Sequence, residues 1–463
     1  MEKNISAQKS SLRLRFLGAA GTVTGSKYLL TNNDQSILID CGLFQGLKEL
    51  RLQNWDQFPT KPNSIDAIVL THAHIDHSGY IPRLIKEGFA GKIFCTHATL
   101  ALCKILLIDA GHLQEEEAEW LNRKKFSKHS PALPLFTQKE AETALEQFIP
   151  KNFDEPFEVT KDIRSTFKYA GHILGAASAI IEAGEIKIAF SGDIGRPNDP
   201  ILFPPVKIPL VDYLVVESTY GNRQHEPTDP MKDLENVINE GLQKKGVILI
   251  PAFAVGRAQS LMFSLAELKR LGRIPNVPMY LNSPMATNVT NLFGEFKSLH
   301  RLTEEQCKEM GDAVQYVRTV EESKALNEKK GPMIIISASG MATGGRIVHH
   351  LKAFVSNPTT TVILAGFQAA GTRGRALQDG AKEIKIHQQM IPVNASIRVL
   401  KNISAHADYS EILDWLALSK ITPRKVFITH GETDAANKMK EHITERFHWP
   451  CEVPKQDQEF LLE

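Results

Sequence analysis

Three histidines and an aspartate crowd six positions of "VLTHAHIDHSGY", Val69 to Tyr80, directly after an apolar run. In extended backbone, side chains two residues apart point the same way, so His72 and His74 can grip one metal ion. Asp76 and His77 stand where the next helix starts and point elsewhere, which suits a second ion. At this chain's histidine and aspartate frequencies the pattern arises by chance with a probability on the order of 10⁻³. The competing reading is a structural metal site or a polar helix cap. A structural zinc site closes with four ligands, often thiolates. Four imidazole and carboxylate donors in one loop ask for more than one metal.

Further donors are then expected at other strand ends. "YAGHILGAAS" offers His172, "AFSGDIG" offers Asp193 after an apolar run, and "VFITHGE" offers His430. Singly, each reads as readily as a structural residue. Together they complete a ligand set for two borderline cations. Zinc fits best, and manganese or iron also suits such donors. Asp40, in "ILIDCG", reads equally as a turn-initiating aspartate or as a group that orients a ligand histidine.

The elements that must position these residues come in two styles. "LRLRF" (12–16) alternates apolar and basic, as a half-buried strand does. Strands at 27–30, 36–40, 67–72 and 92–97 follow, with helical spacing at 78–89 between the last two. A long helical and loop region covers about 98–148 and includes a solvated helix at 113–125; strands return at 178–184 and 186–193. From about 209 to 394 the pattern changes. Apolar runs at 213–219, 247–254, 278–283, 332–339 and 361–367 read as buried parallel strands, and 256–272 as a crossover helix. Shorter strands resume at 396–402 and 425–431, around a helix at 409–419. The second unit therefore reads as inserted into the first.

Bulk properties narrow the class. The chain has 463 residues, 42% hydrophobic and 23% charged, with a formal net charge of +1. That length predicts two domains, and the balance excludes a globally basic nucleic-acid binder while leaving room for a local basic groove. Cys41, Cys95, Cys103, Cys307 and Cys451 include no C-x-x-C and read as reduced thiols. The segment "MEKNISAQKSSLRLRFLG" lacks the apolar core of a signal peptide, and no apolar run reaches the roughly 18 residues of a membrane span. A cytoplasmic protein with no membrane partner is expected.

The order Asp40, His72-x-His74-x-Asp76-His77, His172, Asp193 resembles the metallo-β-lactamase superfamily. Downstream, "VVESTYG" with Glu217, "ISAHADYSE" with His406 and "FITHGE" with His430 resemble motifs A, B and C of its β-CASP nucleases, the branch of the RNA 3′-end processing endonuclease. The likeness covers nearly the whole chain. It implies an α/β fold: a metallo-β-lactamase αββα sandwich (1–208 and 395–463) with an inserted β-CASP domain (209–394), a parallel sheet flanked by helices. With no extra domain expected after 463 and no KH-type module before the core, the short two-domain bacterial form is the one it is similar to.

The same resemblance implies roles. His72, His74 and His172 would hold one zinc, Asp76, His77 and His430 the other, and Asp193 would bridge them. Asp76, Glu217 and His406 would be the catalytic set, with His406 as general acid oriented by Glu217. DNA-directed relatives usually carry valine in motif C, so His430 favours RNA, single-stranded in preference to duplex, cut internally or from the 5′ end. A homodimer is compatible. Two metals lower the pKa of a water, and a phosphodiester leaving group benefits from a proton. In the inserted unit, Ser337, Ser339, Gly344, Gly345 and Arg346 of "SASGMATGGR", with Arg373, Arg375 and Arg257, read equally as phosphate contacts and as turn glycines and solvated cations. His349 and His350 read as structural. The alternative functions are hydrolysis of a small ester or thioester, and an inactive RNA-binding subunit.

Overall fold

The computed structural model describes residues 12–124 and 130–463. Residues 1–11, most of the segment read for a leader, and Lys125 of the expected 113–125 helix lie outside them. Alternation builds the first half of the molecule. In the strand Leu12–Phe16, Leu12, Leu14 and Phe16 are buried while Arg13 and Arg15 face out to Glu459 and Asp457. This strand belongs to a seven-stranded sheet in the order Glu459–Leu462, Leu12–Phe16, Tyr28–Asn32, Gln35–Ile39, Ala67–Val69, Lys92–Thr96, Phe148–Lys151. A second seven-stranded sheet runs Cys451–Glu452, Lys425–Thr429, Tyr213–Glu217, Ile186–Phe190, Ala177–Ala183, Ile163–Tyr169, Phe157–Glu158. The inner faces share one core, where Phe16, Tyr28, Phe167, Phe190 and Phe427 meet. Helices such as His97–Lys124 and Thr433–Phe447 pack on the outside, which makes the expected αββα layering.

The inserted unit is built on continuous apolar runs. Its six-stranded sheet is parallel throughout, in the order Gln315–Tyr316, Met279–Asn282, Met333–Ser337, Val247–Pro251, Thr361–Ala365, Ser396–Leu400. The four inner strands are buried at every position, as strands covered by helices on both faces must be. Arg257–Arg270 is the expected crossover helix.

Two strands group differently from the expectation. Tyr213–Glu217, read as part of the inserted unit, pairs in parallel with Ile186–Phe190 and Lys425–Thr429 in the second sheet of the sandwich. Ser396–Leu400, read as the return to the sandwich, pairs in parallel with Thr361–Ala365. A fully apolar run announces a buried parallel strand but not its neighbour; the ladder hydrogen bonds decide that. The consequence is functional, because the first of these strands carries Glu217 to the end of the sandwich that holds Asp193 and His430. No helix among the described residues is long and apolar enough to cross a membrane. All five cysteines are free.

Candidate metal centre and active site

Most residues singled out in the sandwich lie just past, or at, the carboxyl end of a strand. Asp40 follows Gln35–Ile39, His72 follows Ala67–Val69, Asp193 follows Ile186–Phe190, Glu217 ends Tyr213–Glu217 and His430 follows Lys425–Thr429. His172 sits in the turn between Ile163–Tyr169 and Ala177–Ala183. Asp76 and His77 occupy the short helix Ile75–Ser78. That helix is held against the loop after Asp40 by main-chain bonds from Cys41 N–H to His77 O (2.7 Å) and Leu43 N–H to Ile75 O (2.9 Å). Only glycine permits the approach: a Cβ at Gly42 would stand 1.6 Å from the Asp76 carbonyl oxygen. Asp40 and His430 both have positive φ, 59° and 49°, a left-handed conformation that persists where surroundings over-determine it and that clusters at functional sites.

Two groups of donors converge. Around His74 Nδ1 lie His72 Nε2 at 3.2 Å and His172 Nε2 at 3.1 Å, and Asp193 Oδ2 is 3.4 Å from each of those two Nε2 atoms. Beside them His430 Nε2 is 3.2 Å from His77 Nε2 and 3.4 Å from Asp76 Oδ2. Asp193 turns its other oxygen to this second group, 3.3 Å from His77 Nε2. Four ligand atoms in the first group and three in the second lie close enough to share an ion each.

Partners behind the rings hold the outward nitrogens and fix how the imidazoles face the centre. His77 Nδ1–H donates to Asp40 Oδ2 (2.7 Å), and His172 Nδ1–H to the Ala405 carbonyl (3.3 Å). Thr71 Oγ1 donates to Asp40 Oδ2 (2.9 Å), so it accepts from His72 Nδ1 at 3.1 Å. Thr219 Oγ1 lies 3.1 Å from His430 Nδ1. Asp40 thus backs two histidines. The expected choice between a turn residue and an orienting group resolves into both, since its Oδ1 also accepts Thr71 N–H (2.7 Å).

Divalent cations fit this arrangement. Burial pushes His72 down to about 3, His74 down to about 4 and His172 well below the usual imidazole range, so lone pairs face one another with no proton between them. Burial opposes charge on Asp193 too, but the surrounding imidazoles, His430 and His77 foremost, hold it well below the usual carboxylate range. Asp193 Oδ1 is buried without a hydrogen-bond partner, a cost that a bound ion would relieve. The donors are imidazole and carboxylate, the set that zinc, manganese and iron accept.

His406 sits beside the first group, its ring 4.4 Å from that of His172. Its Nδ1–H lies 3.1 and 3.2 Å from the two Glu217 oxygens. Glu217 is itself fixed by Ile194 N–H (2.6 Å) and Thr219 N–H (3.3 Å). Burial opposes the imidazolium of His406, but the Glu217 and Asp193 carboxylates outweigh it and raise the pKa to about 9.

The loop carrying His406 is pinned by Asp408 and Glu411 of its own motif and, from outside it, by His225 and Arg196. His225, buried, faces the His406 carbonyl with Nε2 (3.0 Å), and its backbone N–H donates to Asp408 Oδ2 (2.8 Å). Asp408 caps the helix Tyr409–Ser419, and Glu411 of its first turn pairs with Arg196 (3.0 Å). The sequence signal for His225 was one histidine in a polar loop, which is no signal at all.

The inserted unit's phosphate candidates are mostly engaged elsewhere. Ser337 is fully buried and donates to the Asn282 carbonyl (2.9 Å). Arg346 binds Asn282 Oδ1 and the Val317 and Arg318 carbonyls, and Arg373 binds the carbonyls of Lys385, Ala342 and Thr343. Arg375 pairs with Asp379 at 2.8 Å. Ser339, half-buried against Thr343, and the main chain of Gly344 and Gly345 keep free surface. His350 is buried between Asn282 and Asn327, as a structural histidine would be.

Three family models match in succession: the metallo-beta-lactamase superfamily over residues 20–252, the Beta-Casp domain over 258–377, and the Zn-dependent metallo-hydrolase RNA specificity domain over 390–454. Ribonuclease TTHA0252 of Thermus thermophilus is 34% identical over 432 residues, spanning 91% of this chain and 94% of its own. Transcription termination factor FttA of Methanosarcina mazei is 32% identical over 444 residues, spanning 92% of this chain and 67% of its own. A crystal structure of a protein of unknown function from Enterococcus faecalis V583 covers 98% of this chain with a TM-score of 0.54 at 15% identity, a likeness of fold alone.

Proposed function

This chain belongs to the metallo-β-lactamase superfamily, in the branch that carries a β-CASP domain, and is a metal-dependent RNA hydrolase; on that premise we propose that it cuts RNA with two divalent cations, zinc first, and with His406 as general acid. The observation that carries the reading is the Glu217–His406 pair beside two facing donor groups. A carboxylate on Nδ1 fixes the tautomer and leaves Nε2 to give a proton to the departing ribose oxygen. A small ester or thioester would require no such acid.

In this reading His72, His74, His172 and Asp193 hold one cation, and Asp76, His77, His430 and Asp193 the other. When bound, the pair supplies Lewis acidity toward a phosphate oxygen and makes a nearby water more acidic. The chain's own residues do the rest. Asp40 and Thr71 keep the imidazoles oriented. Glu217 holds the proton on His406 until the leaving oxygen takes it. Ser339 and the backbone N–H groups of Gly344 and Gly345 remain as phosphate contacts in the inserted unit, whose sheet takes its strands from Val247–Pro251 to Ser396–Leu400. The substrate in this reading is single-stranded RNA in preference to duplex, a choice supported by the limited exposure of the His406 side chain, 19%.

The test is His406→Ala, assayed on end-labelled RNA. We expect metal content to stay at the wild-type level and cleavage to fall by roughly 10²–10⁴-fold, the usual worth of a general acid. Wild-type rates in that variant would remove the role. The ladder of wild-type products separates internal cutting from 5′-end trimming.

A further inference from the structure

Arg257 differs from the other arginines in the inserted unit. It opens the helix Arg257–Arg270, 14 residues long, with Gly256 before it. The residue is only 8% exposed, yet its Nε has no hydrogen-bond partner. Tyr220 and Asp199 act on its charge through space, and among the described residues no carboxylate forms an ion pair with it. Burying a guanidinium with no ion-pair partner is costly, and such a group is suited to a place where an anion arrives.

The surroundings form a small cleft between the two units. One wall is the face of the helix that carries Arg257, Ser260, Leu261 and Ser264; the opposite wall is the loop Asn402, Ile403, Ser404. That loop leads into His406: Ser404 Oγ accepts the His406 N–H at 3.2 Å. Asp199 also lines the cleft, but its Oδ1 faces its own chain, accepting Ile201 and Leu202 N–H at 2.9 and 2.8 Å. Asn402 Oδ1 is a second buried atom without a partner. A water could satisfy that acceptor, but water does not neutralise a guanidinium.

We propose that this cleft is a phosphate subsite with Arg257 as its cation, separate from the two donor groups and joined to them by the His406 loop. The ligand is a phosphate group, either one in the backbone of bound RNA or free phosphate. The RNA arm rests on the ribonuclease reading; the free-phosphate arm does not.

The test compares the full-length, zinc-loaded protein with Arg257→Met and Arg257→Lys. In the first arm, melting is followed with sodium phosphate against sodium chloride at equal ionic strength. We expect the phosphate-dependent rise in Tm to drop by half or more in R257M and to be intermediate in R257K. In chloride alone R257M should melt no lower than wild type, because it loses an unbalanced charge. In the second arm, binding of a labelled single-stranded RNA is measured against salt in the His406→Ala background, which prevents cleavage. The log–log salt slope should fall by about 0.7 in R257M, one phosphate contact on a single strand. A change in both arms, or in the RNA arm alone, assigns the subsite to RNA; a change in the melting arm alone assigns it to free phosphate. If neither changes, the guanidinium holds only water and the proposal is overturned. If the His406→Ala protein binds no RNA at all while the melting arm responds, the ribonuclease reading falls and the subsite stands.

Discussion

The strand ends of the sandwich and those of the six-stranded sheet treat polar groups in opposite ways. In the sandwich, seven metal-type donors face one another, and their partners stand behind them. In the inserted unit, Ser337, Arg346 and Arg373 point at main-chain carbonyls of their own unit. The first arrangement is incomplete without a ligand, and the second is complete as it stands. Polar residues at a strand end are therefore not evidence of a site by themselves; what distinguishes a site is a group left without its partner. By that criterion Arg257 belongs with the sandwich ends, although it sits in the inserted unit.

The largest effect should come from removing the residue that faces both donor groups. Asp193→Ala is expected to lower bound zinc and to reduce cleavage by more than about 100-fold. Asp40→Asn, which changes only a partner behind the ligands, should cost about 10–100-fold in metal affinity or activity. Zinc content by elemental analysis and RNA cleavage together decide it. Equal losses in the two variants would mean that ligand and partner are not separable roles here.

How far these contrasts could be read in advance depends on range. His72, His74, Asp76 and His77 were legible because their geometry is local, set by a strand running into a helix. His172, Asp193 and His430 were legible only as strand ends, and their convergence depends on pairing between distant strands. Glu217 was assigned by motif, yet its strand was placed in the wrong sheet because burial on both faces looks alike in either. Thr71 and Thr219 were passed over, since a threonine behind a histidine has no pattern. The occupants of Arg346 and Arg373 were unreadable for a simpler reason: a carbonyl acceptor can belong to any residue.

Arg373 offers a smaller test on the complete side of the comparison. Arg373→Met removes three bonds to the carbonyls of Lys385, Ala342 and Thr343. It leaves these acceptors to be satisfied by water where water can reach. The expected cost is about 1–3 kcal/mol of stability, read in denaturant, with no change in the salt slope of RNA binding. Arg257→Met should behave in the reverse sense, so the pair of variants measures the distinction between a structural cation and a ligand-facing one. A lower salt slope in R373M would return that residue to the phosphate contacts.

The smallest effect concerns a buried cation inside the sandwich that, unlike Arg257, has company. Lys27 is 4% exposed, its Nζ lies 3.4 Å from the Gly25 carbonyl, and it stands over the rings of Phe44 and Tyr80 at 4.3 and 5.1 Å. Burial nevertheless lowers its pKa to about 8, with Cys41 working weakly in the other direction. The folded pKa lies below the unfolded one. Between about pH 8 and the ordinary lysine value the unfolded chain therefore binds the extra proton, and stability rises with pH there. Below about 8 the ammonium is present in both states, and the cost of burying it is felt in full. Lys27→Met should remove that cost, stabilising the protein at pH 7 by on the order of 2 kcal/mol, somewhat less than the shift alone implies because the ring contacts are lost too. The gain should shrink as pH rises past 8 and be gone near 10.5, the ordinary lysine value. Denaturant titrations of both proteins at pH 7, 9 and 10.5 give the curve. A pH-independent difference would mean that Gly25 and the two rings already balance the charge, and that a carbonyl and aromatic faces suffice where Arg257 has neither.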